Sequence, residues 1–360
     1  MAVTLPKINI SFQQLATSFL RRSERGVAVL LARDATAGGN GYAVYTDSTQ
    51  LDGAPYTPAT TQAIRDALSF APLRVGVAKV GATGTLAEAL ALVTQHEKTG
   101  WITVIGGTAE DWTGLSSWIK ATEKKDMSWK GVVYQAAAPD CMHLVNLSTD
   151  NVTFGDSRGV KPGSAYAPSL AGLLAACNVQ RGATNRLCAN LTHVDVPENP
   201  DAVVGAGKFL LVNDDGEVRV GVDVNALSTT DGKTRTEDMK YIETVEAMDM
   251  IRDDIAYAFR HEYLGNYRNS LDNQMLLISS ILYYFKQLEN QAILDAGYSN
   301  VVAIDVEAQR AAWVGTGKAE ATGWDDATVR NMPFKRTVYL RGDVKILGSM
   351  GNLEFAVTLA

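Results

Sequence analysis

Gly26-Val27-Ala28-Val29-Leu30-Leu31-Ala32-Arg33-Asp34 is a short, almost wholly apolar run. Such a run reads as a strand buried on both faces. Downstream of it, strand and helix patterns alternate. The spacing predicts a helix over 63–70 and a strand over 73–80. A helix follows over 85–98, with Leu86, Leu90 and Val93 in step, then a strand over 101–105 that stops at Gly106-Gly107. Trp112, Leu115 and Ile119 share one stripe of a helix over 109–124, and 131–137 is the next strand. Strands alternating with helices build a largely parallel sheet with helices over it. Thr36 to Tyr56, rich in Gly, Thr and Asp, reads as loop.

Pro139 to Pro200 is less regular and holds one clear helix, Ala167 to Cys177. Lys208 to Asn213 and Glu217 to Val222 flank Asp214-Asp215-Gly216, a hairpin signal. Two long helices come next. Ile242, Val245, Met248, Ile251, Ile255 and Phe259 form the stripe of the first. Met275, Ile278, Leu282, Phe285 and Leu288 form that of the second, widened by Leu277, Ile281 and Tyr284. Gly265 and Asn266 stand between them as stop and turn. Glu243, Glu246, Asp249 and Asp253 make an acidic stripe on the first helix. It reads as a solvated face or a charged contact surface. Asp305 caps a further helix through Trp313.

The ends carry period-two patterns. Val338, Leu340, Gly342, Val344 and Ile346 share one face of a strand over 337–346. After the break Gly348-Ser349-Met350-Gly351-Asn352, Leu353, Phe355, Val357 and Leu359 alternate with Glu354, Ala356 and Thr358. This predicts a hairpin. Near the start, Ile8, Ile10 and Phe12 alternate with Asn9, Ser11 and Gln13. Strand edges are usually covered, so strand-forming tails predict pairing with another copy of the chain.

The chain has 360 residues, 46% of them hydrophobic and 20% charged, enough for two folded domains. A net charge of −7 argues against nucleic acid as partner. No apolar run is of bilayer length, so membrane insertion is not expected. The N-terminal residues lack the order of a signal peptide, so synthesis in a bacterial cytoplasm is expected. Cys141, Cys177 and Cys188 read as buried free thiols.

Sequences that suggest chemistry are incomplete. Gly81-Ala82-Thr83-Gly84 follows a strand but lacks a full dinucleotide-binding pattern. It carries the alternative reading, a cytoplasmic α/β enzyme with a nucleotide-type cofactor loop near 81–84. Gly315-Thr316-Gly317-Lys318 is followed by Ala319 where a phosphate loop needs Ser or Thr. Gly232-Lys233-Thr234 has Leu227 at the upstream position that needs Gly. Cys141, His143 and His193 are scattered for a metal set, and no nucleophile–base pair is evident. Neither cofactor nor metal is expected.

The chain resembles the tail sheath proteins of contractile phage tails and phage-tail-like bacteriocins, in the short form of Gram-positive bacteria and their prophages. Leu5-Pro6-Lys7-Ile8-Asn9-Ile10-Ser11-Phe12 with Arg25-Gly26-Val27-Ala28-Val29-Leu30 carries the likeness. So do Ala171-Gly172-Leu173-Leu174-Ala175-Ala176 and Val344-Lys345-Ile346-Leu347-Gly348-Ser349-Met350-Gly351-Asn352-Leu353. Asp253-Asp254-Ile255 and Asn269-Ser270-Leu271-Asp272-Asn273 also fit. Gly38 to Thr61 and Asn146 to Tyr166 depart most.

The expected fold class is mixed α/β (α+β). It combines a strand–helix alternating N-terminal part, a helix-rich C-terminal domain and extended β-strand arms at both termini. The expected division is an N-terminal arm over 1–25, a sheath domain over 26–200, an inner domain over 201–335 and a C-terminal arm over 336–360. The resemblance implies a non-enzymatic subunit that polymerises helically around a tail tube. The sheath it forms contracts to drive the tube through a cell envelope. Expected partners are other copies of the chain, the tube protein, and baseplate and tail terminator proteins. The strands that would pair between subunits hold Ile8, Ile10, Phe12, Val338, Leu340, Val344, Ile346, Leu353, Phe355 and Val357. The linkers expected to let the bodies slide are Thr17 to Arg25 and Met332 to Arg336. The basic residues expected at the tube are Arg330, Lys335 and Arg336.

Overall fold

The computed structural model describes residues 25–177, 179 and 181–357. These divide into two compact units, 25–253 with 346–357, and 254–345.

The larger unit is built on a six-stranded sheet. In chain order come β1 (Val27–Arg33), β2 (Gly41–Tyr45), α1 (Pro58–Leu68), β3 (Arg74–Val80), α2 (Leu86–His96), β4 (Gly100–Val104), α3 (Ala109–Glu123), β5 (Trp129–Tyr134) and β6 (Leu144–Leu147). The sheet order is β2-β3-β1-β4-β5-β6, parallel except for β2, which pairs antiparallel with β3 at one edge. Every residue of β1 from Val27 to Ala32 is buried, as a strand covered on both faces must be. β2 lies inside the stretch expected to be loop. Its sequence, Gly-Tyr-Ala-Val-Tyr, is strand-like only over five residues, and edge pairing with β3 decides its conformation.

Next are β7 (Asn151–Phe154), β8 (Val160–Pro162), α4 (Ala167–Ala176), β9 (Leu191–Val194), α5 (Pro200–Gly205), β10 (Leu211–Asp214), β11 (Glu217–Val220) and α6 (Ile242–Ala258). β8-β7-β9 form a small antiparallel sheet. β10 and β11 form the expected hairpin. Asp215 and Gly216 take φ of 47° and 80°, the left-handed pair a two-residue turn requires. α4 packs its backbone against α1. A Cβ on Gly172 would stand 2.2 Å from the carbonyl oxygen of Ala67, so only glycine fits there.

The second unit holds α7 (Leu271–Asn290), β12 (Val301–Ile304), α8 (Val306–Gly315), α9 (Asp326–Asn331) and β13 (Leu340–Asp343). Ser270 caps α7 and Asp305 caps α8 through their side-chain oxygens. α7 buries Gln274, Leu277, Ile278, Ile281, Tyr284, Phe285 and Leu288. Met275 and Leu282, expected on that stripe, are exposed, so the buried face is rotated toward 274 and 281.

Two expectations need correction. The compact division falls between Asp253 and Asp254 rather than between 200 and 201. Phe209, Leu211, Val218 and Val220 belong to the core under the main sheet, and Phe209 bridges Leu147. The terminal hairpin does not form among the described residues. β13 pairs instead with β12 in antiparallel register, Leu340 opposite Ile304 and Asp343 opposite Val301. Residues 347–357 contain neither helix nor strand. The N-terminal strand with Ile8, Ile10 and Phe12, and most of the 17–25 linker, lie outside the described residues.

Candidate functional site

The C-terminal segment is held to its own unit where it leaves. Ser349 donates its backbone N–H to Glu243 Oε1 at 2.7 Å, and its hydroxyl to the other carboxylate oxygen. Beyond that point apolar side chains stand in solvent. Met350 is 101% exposed, Leu353 89%, Phe355 81% and Val357 66%. Val338, Leu340, Val344 and Ile346 are half-buried, and Leu340 already has a partner strand in its own chain. The ten expected arm residues thus differ in state. Seven are described, and of those only Leu353, Phe355 and Val357 are free apolar groups on a segment without pairing.

Arg330, Lys335 and Arg336 are all exposed. Arg330 sits on α9, which Asp325 caps. The loop after α9 is held from behind. Trp313 donates Nε1–H to the Met332 carbonyl at 2.8 Å. Asn269 Nδ2 reaches the carbonyls of Phe334, Lys335 and Thr337 at 3.4, 3.3 and 3.1 Å. These contacts fix the backbone and leave the three cationic side chains outward, with no ion pair to a described acid. Met332 to Arg336, expected as a sliding linker, is therefore a pinned loop.

The acidic stripe on α6 is neither a solvated face nor an outer contact surface. Lys130 on β5, itself buried, places Nζ 3.0 Å from Glu246 Oε1 and 3.2 Å from Asp249 Oδ2. Arg25 meets Glu246 and Asp253, Arg252 meets Asp249, and the Ser128 hydroxyl meets Asp253. Arg252 apart, the cations that neutralise the helix come from elements far away in sequence. Burial raises the cost of the Asp249 carboxylate, but Lys130, His143 and Arg252 outweigh it and hold its pKa low.

His143 is enclosed in the same network. Its Nδ1 lies 2.8 Å from Glu123 Oε2 and its Nε2 3.2 Å from Asp249 Oδ1. Burial opposes the imidazolium, yet hydrogen bonds with Asp249, Cys141 and Glu123 lift its pKa to about 11. Cys141 Sγ is 3.0 Å from Glu123 Oε2. The structure thus assembles a Cys–His–Asp constellation and a Glu123–Cys141–His143 cluster with metal-ligand atoms; the sequence offered Cys141 and His143 but not the acids that join them. His193, expected in any metal set, is exposed on β9 instead. Cys141 and His143 are each 1% exposed. Burial pushes the Cys141 thiol up, away from the thiolate a nucleophile needs. The cluster reads as a buried ion network.

The turn at Gly81–Gly84 is occupied by the protein itself. Asn40 takes the Gly81 N–H at 3.0 Å, Gly84 N–H bonds to the Gly81 carbonyl, and Arg33 Nε bonds to the Gly84 carbonyl at 2.8 Å. The N-terminus of α2 is closed by a capping box between Thr85 and Glu88. A phosphate at that helix end would face the Glu88 carboxylate. At Gly106-Gly107 the following helix is capped by Thr108 and Asp111, and Asp111 takes a bidentate Arg33. At both turns a cap carboxylate, Glu88 or Asp111, holds the position a phosphate would take.

Residues 234–360 match the family model described as the phage tail sheath C-terminal domain. Over 318 residues the chain is 24% identical to the tail sheath protein of Clostridium phage phiCD119, covering 85% of this chain and 86% of that one. A sheath tail protein from Desulfitobacterium hafniense superposes with a TM-score of 0.68 at 14% identity, over 83% of this chain and 94% of that one. The contracted helical sheath of the anti-feeding prophage superposes with a TM-score of 0.70 at 13% identity, over 99% of each chain. Fold and sequence agree with the resemblance read from the motifs: the chain is similar to tail sheath proteins over most of its length, and its residues 234–360 match the model of the phage tail sheath C-terminal domain.

Proposed function

We propose that this chain is the structural subunit of a contractile tail sheath. It polymerises helically around a tail tube, and the sheath contracts to drive the tube through a cell envelope. The observation that carries the reading is the exposed apolar segment Leu353-Glu354-Phe355-Ala356-Val357, anchored at Ser349 and without a strand partner among the described residues. An extended segment of alternating apolar residues is completed by adding to the sheet edge of a second copy. Such pairing is heterologous, and a heterologous contact that does not close gives a helical lattice. Ile8, Ile10 and Phe12 would supply the second arm. Arg330, Lys335 and Arg336 would face the tube, and baseplate and tail terminator proteins would cap the polymer.

Sheath function requires no turnover, and the work of contraction is the free-energy difference between two packings of the same subunits. The subunit would be made in a bacterial cytoplasm and assembled into a virion tail or phage-tail-like particle. Negative-stain microscopy of the purified protein tests the reading. Long hollow cylinders are expected. Discrete small oligomers that carry nucleotide absorbance would favour the enzyme reading instead.

A further inference from the structure

Cys141 and His143 lie on the loop that leads into β6, and the backbone before them is strained. Ala138 and Asp140, neither of them glycine, take φ of 41° and 37°. Such conformations persist only where the surroundings enforce them, and they gather at functional sites. Here the loop is pinned. Asp140 Oδ1 accepts the N–H groups of Ser228 and Thr229 at 2.9 Å each, and Cys141 donates its N–H to the Ala226 carbonyl at 3.3 Å. The result brings Cys141 Sγ and His143 Nδ1 to one point, 3.0 and 2.8 Å from Glu123 Oε2. Glu123 is the last residue of α3, where the carbonyl end of the helix dipole favours a cation.

Hydrogen bonding alone does not account for the thiol. An S–H group is a weak donor, and a serine would serve a carboxylate better. A thiolate is a strong ligand for zinc, and thiolate, imidazole and carboxylate are the donors that zinc takes. The three ligand atoms lie within 4.8 Å of one another. A tetrahedral zinc ion with bonds of about 2.0–2.3 Å sets its ligands roughly 3.3–3.8 Å apart, so the contacts with Glu123 would open by roughly half an ångström. Glu123 can give that distance, because its side chain is 21% exposed at the helix end while Cys141 and His143 are buried. The same exposed side is the ion's way in. His143 is already oriented: Asp249 Oδ1 lies 3.2 Å from Nε2. A carboxylate on the far nitrogen is the usual support of a metal-bound imidazole, and it leaves Nδ1 for the ion.

We propose that Glu123, Cys141 and His143 bind a zinc ion, with Asp249 steering the imidazole. Without zinc, protons hold the cluster as the ion network described above. Zinc displaces the thiol and imidazolium protons and brings in the charge they carried, so the balance with Lys130, Arg252 and Asp249 is kept. The ion would brace the larger unit and take no part in contraction. The test titrates the full chain, freed of metal by chelator and returned to buffer, with cobalt(II) as a coloured substitute. Equimolar cobalt should give a thiolate-to-metal band in the near ultraviolet, and zinc should bleach it. Cys141→Ser should remove the band, and Glu123→Gln should weaken zinc binding at least tenfold. Zinc should raise the melting temperature of the parent more than that of either variant. Absence of the band at equimolar cobalt overturns the proposal. So does a band that survives Cys141→Ser, which would place the ion at another thiol. Should Cys141→Ser fail to fold, Glu123→Gln still decides: parental zinc affinity in that variant overturns the site.

Discussion

Removal of Gly351 to Ala360 separates the stability of the subunit from that of the polymer. Leu353, Phe355 and Val357 touch almost nothing in their own chain, being 89, 81 and 66% exposed. Their loss should leave unfolding of the monomer within about 0.5 kcal/mol of the parent. In a paired arm the same three side chains would contribute about 1.5–3 kcal/mol each, or roughly 5–9 kcal/mol together. Fixing the backbone of 351–357, which has no secondary structure, costs at least about 1 kcal/mol per residue, roughly 7 kcal/mol in all. The apolar gain and the ordering cost nearly cancel, so strand hydrogen bonds tip the balance and no anchor is spare. Phe355→Asp removes one anchor and places a charge in the pairing face, a penalty of several kcal/mol. Both variants should sediment as folded monomers at concentrations where the parent forms cylinders, with unchanged circular dichroism. Cylinders formed by the truncated protein at the parent's critical concentration would refute the reasoning, as would a markedly lower melting point of its monomer.

Lys130→Met leaves Glu246 and Asp249 without their buried cation. It should cost about 3–5 kcal/mol by urea unfolding, with part recovered when Asp249→Asn is added. Burial first and the Glu243 charge second push Asp223 up to about 6. A folded pKa above the unfolded value of about 4 means the group's contribution is complete below pH 4 and lost between pH 4 and 6. Asp223→Asn keeps an acceptor for Thr184 and should stabilise the protein by about 1–3 kcal/mol at pH 7.5, with the gain gone at pH 4. Arg330→Glu with Arg336→Glu should weaken assembly on the tube, and a salt series should narrow the difference from the parent. Contraction should proceed after exhaustive dialysis against chelator with no nucleotide present and should not reverse under native conditions; a requirement for ATP would contradict the sheath mechanism.

The alternating pattern from Val27 to Tyr134 was legible because each strand and helix there carries its own periodicity. β2 was hidden because an edge strand of five residues owes its conformation to β3, which lies outside any local window. β12 was missed for the same reason, and with it the partner of β13. The residues of the terminal strand read correctly as strand-formers while their partner did not, since alternation specifies a face and not a neighbour. The acidic stripe of α6 looked solvated because spacing cannot reveal that Lys130 and His143, more than a hundred residues upstream, supply its counter-charges. The basic residues near 330–336 were visible in the sequence. The acids that join Cys141 and His143 were not, because their placement is a property of packing.

The ion network of the larger unit constrains how this sequence can drift. Lys130, His143, Glu246 and Asp249 are held by one another, so the effect of changing any one depends on the residues at the other three. A lone substitution strands a buried charge, whereas a paired replacement by apolar groups of similar volume is close to neutral. The four positions should therefore change as a set along a lineage. Their identities, compared between related chains, should covary more tightly than those of the hydrophobic residues packed around them.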